Sequence, residues 1–260
     1  DPHHGHLDVG HFILFWNGQG YIGESGHSAY DEKFFDEARY DYPQASSVGH
    51  NLIFVNGEKQ LIAKLKDKPW LEGVGGKVLT FSTTQSRDYT LMDPTNAYPK
   101  KELKGWRRHI VFDKPDVAVV LDEVSCAVGA EIEARFHSEC AQNAKKGYVL
   151  IHGEKGDMAL IPSVEGSFSF RPGRHAILAV QKNAQFAWVP YMGTVLKAAG
   201  PRTVMGTIIL PVANEAEAEK IAASVKRSTD GAGNLTLSFD KGGKKSSYTF
   251  KKETEGLVLK

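Results

Sequence analysis

Hydrophobic positions along this chain recur at strand spacing. Phe12-Ile13-Leu14-Phe15-Trp16 is a short apolar run that stops at Asn17-Gly18, a dipeptide that accepts the positive φ angles of a tight hairpin turn. Leu52-Ile53-Phe54-Val55 stops at Asn56-Gly57, the same hairpin signal. Val117 to Leu121, Glu131 to Phe136, Met158 to Ile161, Ala176 to Val180, Gly206 to Leu210, Leu235 to Phe239 and Tyr248 to Lys251 also read as strands. Turn residues separate them at short intervals, as in an all-β sandwich. The unbroken run Val117-Ala118-Val119-Val120-Leu121 predicts a strand covered on both faces. One helix is expected from Asn214 to Val225, with Asn214 as N-cap, Glu215 and Glu217 in the first turn and alanines through its length. A last hairpin is expected around Lys241-Gly242-Gly243. The polar stretch Gln85 to Trp106 is either a loop over a site or an irregular strand pair. The pattern as a whole predicts an all-β fold, a large antiparallel two-sheet β-sandwich with one helix near 214–225.

Charge alters this picture little. Lys and Arg total 32, Asp and Glu 31, for a formal net charge of +1, so bulk charge gives no argument for a nucleic-acid partner. Arg107-Arg108 and Lys241 to Lys245 read as solvated turns or a local anion contact. Apolar runs are too short to cross a bilayer, and no signal-peptide pattern is present. Cys126 and Cys140 are the only cysteines. They either pair on neighbouring strands, as suits a periplasmic protein, or stay as buried reduced thiols. Glu72-Gly73-Val74-Gly75-Gly76-Lys77 lacks the spacing of a phosphate loop and reads as a turn.

The chemistry concentrates near the start. His4-Gly5-His6-Leu7-Asp8, Gly23-Glu24-Ser25-Gly26 and Gly49-His50-Asn51 are three separated pieces that fit one metal-bearing wall. In an extended strand alternate residues share a face, so His4, His6 and Asp8 are expected to project together. A first-row metal takes two or three imidazoles and a carboxylate. His6, Glu24 and His50 are the expected ligands, with zinc the natural ion and other divalent ions also suited. The bland alternative makes His3, His4, His6 and His11 surface or core histidines, or partly a tag remnant. A tag would not run on into Leu7-Asp8-Val9-Gly10 with matching residues downstream.

These three pieces resemble the start of the heparinase II/III-like domain of bacterial polysaccharide lyases. The likeness extends through Tyr30, the strand and turn Leu52 to Gly57, Arg108-His109-Ile110-Val111-Phe112, Val119 to Glu123 and Arg135-Phe136-His137. It covers about half of the chain well. One departure is Glu24, where the family usually has Asp, so a ligand there reaches farther. The resemblance implies one domain over 1–260, with 214–260 a C-terminal helix-plus-hairpin subregion. It also implies a helical toroid ahead of this domain in the same polypeptide. The start at Asp1, directly before the histidines, suggests a trimmed fragment.

By the same resemblance, the function is β-elimination at a uronate in an acidic polysaccharide, heparan sulfate-like or alginate, by a periplasmic or secreted bacterial enzyme. The first histidine of His-x-His is catalytic and the second holds a bracing metal, which places His4 in the active site and His6 on the ion. Tyr30, Tyr40 and Tyr42 are candidates for acid or substrate contact, with Tyr40 taken as catalytic and Tyr30 as substrate-binding. Arg39 suits a carboxylate or sulfate. The principal Tyr and the carboxylate-neutralising Asn come, in the family, from the toroid, so the isolated domain is expected to be an incomplete lyase. His137 either lines the cleft or is a core or edge histidine. The alternative function is a non-catalytic carbohydrate-binding or structural sandwich, with Trp16, Trp70, Trp106 and Trp188 as sugar platforms.

Overall fold

The computed structural model describes residues 5–26, 32–35, 37–63, 69, 71–178 and 186–260. Eight antiparallel strands form the central sheet. From edge to edge they are Lys77–Thr83, Arg87–Asp93, Gly105–Asp113, Val117–Ser125, Arg202–Val212, Gly156–Val164, Val149–Gly153 and Ala141–Ala144. A four-stranded sheet, Ser169–Leu178, Phe186–Lys197, Glu131–His137 and Ile53–Val55, packs on one face. The seam holds Val120, Ile151, Leu160 and Ile209 from the large sheet against Ile53, Ile132, Phe136 and Leu196 from the small one. The antiparallel sandwich expected from the strand pattern is therefore present.

A third sheet, Lys226–Thr229, Leu235–Lys241, Lys244–Glu253 and Gly256–Leu259, covers the far face of the large one. Val119, Leu121, Ile208 and Leu210 meet Leu237, Phe239, Tyr248 and Phe250 there. Val117–Ser125 is consequently buried through eight of its nine residues, as its continuous apolar run predicts. Each fully buried aliphatic side chain contributes roughly 1.5–3 kcal/mol, which is why this strand lies mid-sheet. The helix Glu215–Ser224 lays Ala218 and Ile221 into the same layer. Asn214 caps it, its side chain accepting from the Glu217 N–H at 3.0 Å. Glu217 reaches back to the Ala213 N–H at 2.6 Å.

Two local expectations divide. Asn17 and Gly18, both at positive φ, close the hairpin of Leu14–Trp16 with Gln19–Ile22. Asn56 and Gly57 also take positive φ, but Ile53–Val55 pairs with Glu131–His137 and not with the residues that follow. The reason is Glu58, whose carboxylate accepts the backbone N–H groups of Lys101, Glu102 and Leu103 at 2.8–3.0 Å. The chain is drawn off before a return strand can form. The stretch from Gln85 to Trp106 resolves as a strand pair, Arg87–Asp93 against Gly105–Asp113, joined through a short 3-10 turn. Cys126 and Cys140 are buried free thiols.

Candidate functional site

The site begins with a segment that is not a strand. Residues 5–13 are irregular, so the expected extended run with His4, His6 and Asp8 on one face does not hold for its described part. Leu7 N–H donates to Ala45 O at 2.9 Å. The Gln60 side chain clasps the Val9 backbone in both directions, at 3.1 and 2.8 Å. The chain turns at Gly10, where φ is +91° and a Cβ would stand 2.8 Å from the Trp106 ring. Asp8 spends its carbonyl on the His11 N–H at 2.8 Å and leaves its side chain exposed. The turn is what brings His6 and His11 together near the other two segments.

His6, Glu24 and His50 converge: one ligand atom from each lies within 4.8 Å of the others. His50 Nδ1 stands 3.1 Å from Glu24 Oε2. The His6 and His50 ring centroids are 5.4 Å apart, and His11 and His50 are 5.1 Å apart. His50 is fully buried, and both of its ring nitrogens lack a hydrogen-bond partner of good geometry among the described residues. Orphaned buried nitrogens beside a carboxylate are costly unless a cation or water satisfies them. Two imidazoles and a carboxylate are a donor set suited to zinc, whose bonds of about 2.0–2.1 Å put tetrahedral ligand atoms roughly 3.3 Å apart. Gly49, just before His50, is required: a Cβ there would lie 2.2 Å from Pro43 O.

Protonation agrees with such a set. Burial, with His50 adjacent, pushes the His6 imidazole below its ordinary pKa. Burial first and His50 second bring His11 down to about 3. Contact with His50 holds the Glu24 carboxyl below the usual range, against the opposing effect of burial. Neutral imidazoles and an ionised carboxylate are the forms that bind metal.

Behind these residues sits Asn51, which carries more of the architecture than the sequence reading assigned to it. Its Nδ2 donates to Phe12 O at 2.8 Å and to Gly23 O at 2.5 Å. Its Oδ1 accepts from His137 N at 2.7 Å and faces His137 Nδ1 at 3.1 Å. Its N–H donates to His11 Nδ1 at 3.0 Å. Arg108 anchors the assembly to the large sheet. It grips Asp122 through two bonds, 2.7 and 3.1 Å, and donates from Nη1 to Gly10 O and Asn51 O. Arg108 and Asp122 are both buried. The sequence marked Asn51 only as part of a motif, and the solvated turn or anion contact expected at Arg107-Arg108 is instead the strand Gly105–Asp113, with Arg108 fully buried. Apart from Asp122, 14 residues from Arg108, the partners of Asn51 and Arg108 lie 28 to 98 residues away, which no local pattern shows.

The remaining expected site residues fall differently. His4 and Tyr30 lie outside the described residues, as does Trp70. Arg39, in the 3-10 turn Glu37–Asp41, is only 2% exposed; its guanidinium lies 5.1 Å from the Phe34 ring and 5.5 Å from that of Tyr40. Its charge is felt at His6. Tyr40 is half-buried, and burial raises its hydroxyl pKa. His137 is fully buried, its Nε2 without a partner among the described residues, and burial keeps it well below its ordinary pKa. Trp106 is core and donates to Asp122, whereas Trp188 is 54% exposed with Arg174 4.2 Å over its ring.

The fold has counterparts among solved structures. The chain spans 95% of its length on a crystal structure of heparinase III, with a TM-score of 0.71 and 14% identity, covering 36% of that protein. It spans 98% on heparan sulfate lyase HepC from Pedobacter heparinus, with a TM-score of 0.64 and 18% identity, covering 37% of that chain. These likenesses show a shared fold, and the chain accounts for little more than a third of either protein's length. No curated protein matches the sequence. The family model described as "Heparinase II/III-like, C-terminal" matches residues 1–228, and the chain therefore belongs to the heparinase II/III-like C-terminal domain family.

Proposed function

We propose that this domain forms one wall of a polysaccharide lyase that cleaves uronate-containing glycans by β-elimination, with a toroid of the same polypeptide as the opposite wall. The observation that carries the reading is the convergence of His6, Glu24 and His50 directly after the segment bearing His4. In this reading those three residues hold a divalent ion, zinc by donor type, that braces the wall. His4, two residues ahead of a ligand, is placed at the cleft and takes the proton beside the uronate carboxylate. Tyr40 gives its proton to the leaving glycosidic oxygen. The hydroxyl of this half-buried tyrosine is protonated at neutral pH, as a proton donor must be. Tyr30 contacts substrate, and Arg39 supplies positive field to the carboxylate from a nearly buried position. A periplasmic or secreted site of action fits a polymeric substrate.

The test is absorbance of the unsaturated uronate product, measured with the full-length protein on heparan sulfate and on alginate oligosaccharides. His4→Ala is expected to lower turnover about a hundredfold or more, the scale of a lost acid–base group. This domain alone is expected to turn over little, since catalytic groups that act as a unit fail together. Full activity of His4→Ala would end this assignment. A second reading, a non-catalytic carbohydrate-binding module, draws on exposed Trp188 under Arg174. It would be favoured by glycan binding that is lost in Trp188→Ala with no turnover in the full-length protein.

A further inference from the structure

Among the described residues, three imidazoles surround Glu24: His6, His50 and His11. Resting on the metal reading above, we infer that His11 is a positioning residue for that centre, presenting Nε2–H to the Glu24 carboxylate while the backbone amide of Asn51 bars it from the ion. The argument is one of hydrogen count. A backbone N–H can only donate, and that of Asn51 points at His11 Nδ1 from 3.0 Å. Nδ1 must therefore hold a lone pair, and in an imidazole the proton then sits on Nε2. That nitrogen is buried, has no hydrogen-bond partner among the described residues, and faces Glu24 Oε2 across 3.5 Å. The contact is longer than a normal hydrogen bond, and a small rotation of the half-exposed Glu24 carboxylate closes it.

For His11 to coordinate through Nε2, its proton would have to move to Nδ1. Two N–H groups would then face each other. Asn51 cannot withdraw to relieve this: its side chain is held by Phe12 O, Gly23 O and His137, and its carbonyl by Arg108. His50 carries no such constraint, because neither of its ring nitrogens receives a hydrogen bond from the described residues. The amide of the residue after His50 thus sorts the imidazoles into ligand and support. The reach of Glu24 is what makes a support useful, since its carboxylate has one more rotatable bond than an aspartate's. Outer-shell partners of this kind set metal affinity by about 10–100-fold.

The experiment uses the full-length protein loaded with zinc. Chelator competition is expected to give His11→Ala a zinc affinity 10–100-fold weaker than wild type, with one zinc still bound. His11→Gln, whose amide can still donate to Glu24, should recover part of the loss. Long-range proton–nitrogen spectra of the labelled protein should show His11 protonated at Nε2 and unligated. Circular dichroism of both variants confirms folding. Wild-type affinity in a folded His11→Ala overturns the inference alone. So does a zinc-ligated His11 nitrogen, or loss of all zinc from His11→Gln. A wild-type protein that takes up no zinc overturns the metal reading and this inference together.

Discussion

Asn51 Oδ1 accepts the backbone N–H of His137 at 2.7 Å and lies 3.1 Å from that residue's Nδ1. The same amide's Nδ2 is committed to two carbonyls, so its orientation is settled and His137 must carry its proton on Nδ1. One side chain thereby ties the segment after His50 to the strand Glu131–His137 and to the backbone just before Glu24.

Asn51→Ala should remove those bonds at once and leave buried carbonyls and an imidazole unsatisfied. At about 1–3 kcal/mol for each abandoned buried group, a loss of several kcal/mol is expected in urea unfolding. Asn51→Asp should fare no better, because a carboxylate cannot donate to Phe12 O or Gly23 O. A loss below about 1 kcal/mol, no more than one ordinary hydrogen bond contributes, would mean that water replaces the amide.

His50→Ala should abolish stoichiometric zinc and, with it, the zinc-dependent rise in melting temperature. The expected stabilisation of wild type is about 2.7 kcal/mol when free zinc is a hundred times Kd. Elemental analysis after dialysis and thermal melts with and without zinc read both effects. Unchanged metal content would remove His50 from the centre.

Asp122→Ala should leave the Arg108 guanidinium buried without its carboxylate, at a cost of about 3–5 kcal/mol. Paired apolar replacement, Arg108→Met with Asp122→Leu, should recover much of that stability. It should not recover zinc affinity, because Arg108 also holds Gly10 O and Asn51 O in place. Denaturation and chelator competition on the same two proteins separate these effects. Equal recovery of both would show that Arg108 matters to the fold alone.

His109 braces the junction of the third sheet with the large central one. Its Nδ1 meets Tyr89 Oη at 3.0 Å and its Nε2 meets Glu123 at 2.9 Å, while Glu123 also receives the Leu257 N–H. Burial first, then the charge of Arg107, brings His109 down to about 3. Unfolded, the ring takes its proton near pH 6.5. Between those values the unfolded chain binds more protons, so stability falls as pH drops through that window, by up to about 1.4 kcal/mol per unit. Urea midpoints at pH 7, 5.5 and 4.5 for wild type and His109→Gln should converge toward acid. Parallel curves would show that His109 gains its proton within the fold.

Period-two alternation, the Asn17-Gly18 turn, the unbroken run at Val117 to Leu121 and the Asn214 cap are local signals, and each sits where the chain alone indicated. They depend on φ/ψ preference and on which faces must leave water, and both are written within a few residues. The grouping of His6, Glu24 and His50 was suggested by donor type together with likeness to a family, since nothing local brings residues 6, 24 and 50 together. Strand partners were decided in three dimensions. Asn56-Gly57 has a hairpin's dihedrals but no hairpin, because Glu58 binds the backbone at Lys101 to Leu103. The third layer likewise depends on apolar faces meeting across the sheet. Most of all, the roles of His11, Asn51 and Arg108 arise from hydrogen bonds spanning up to 98 residues. Which nitrogen of a histidine keeps its proton is settled by the donor that folding sets beside it, and for His11 that donor is the amide of Asn51, 40 residues along the chain.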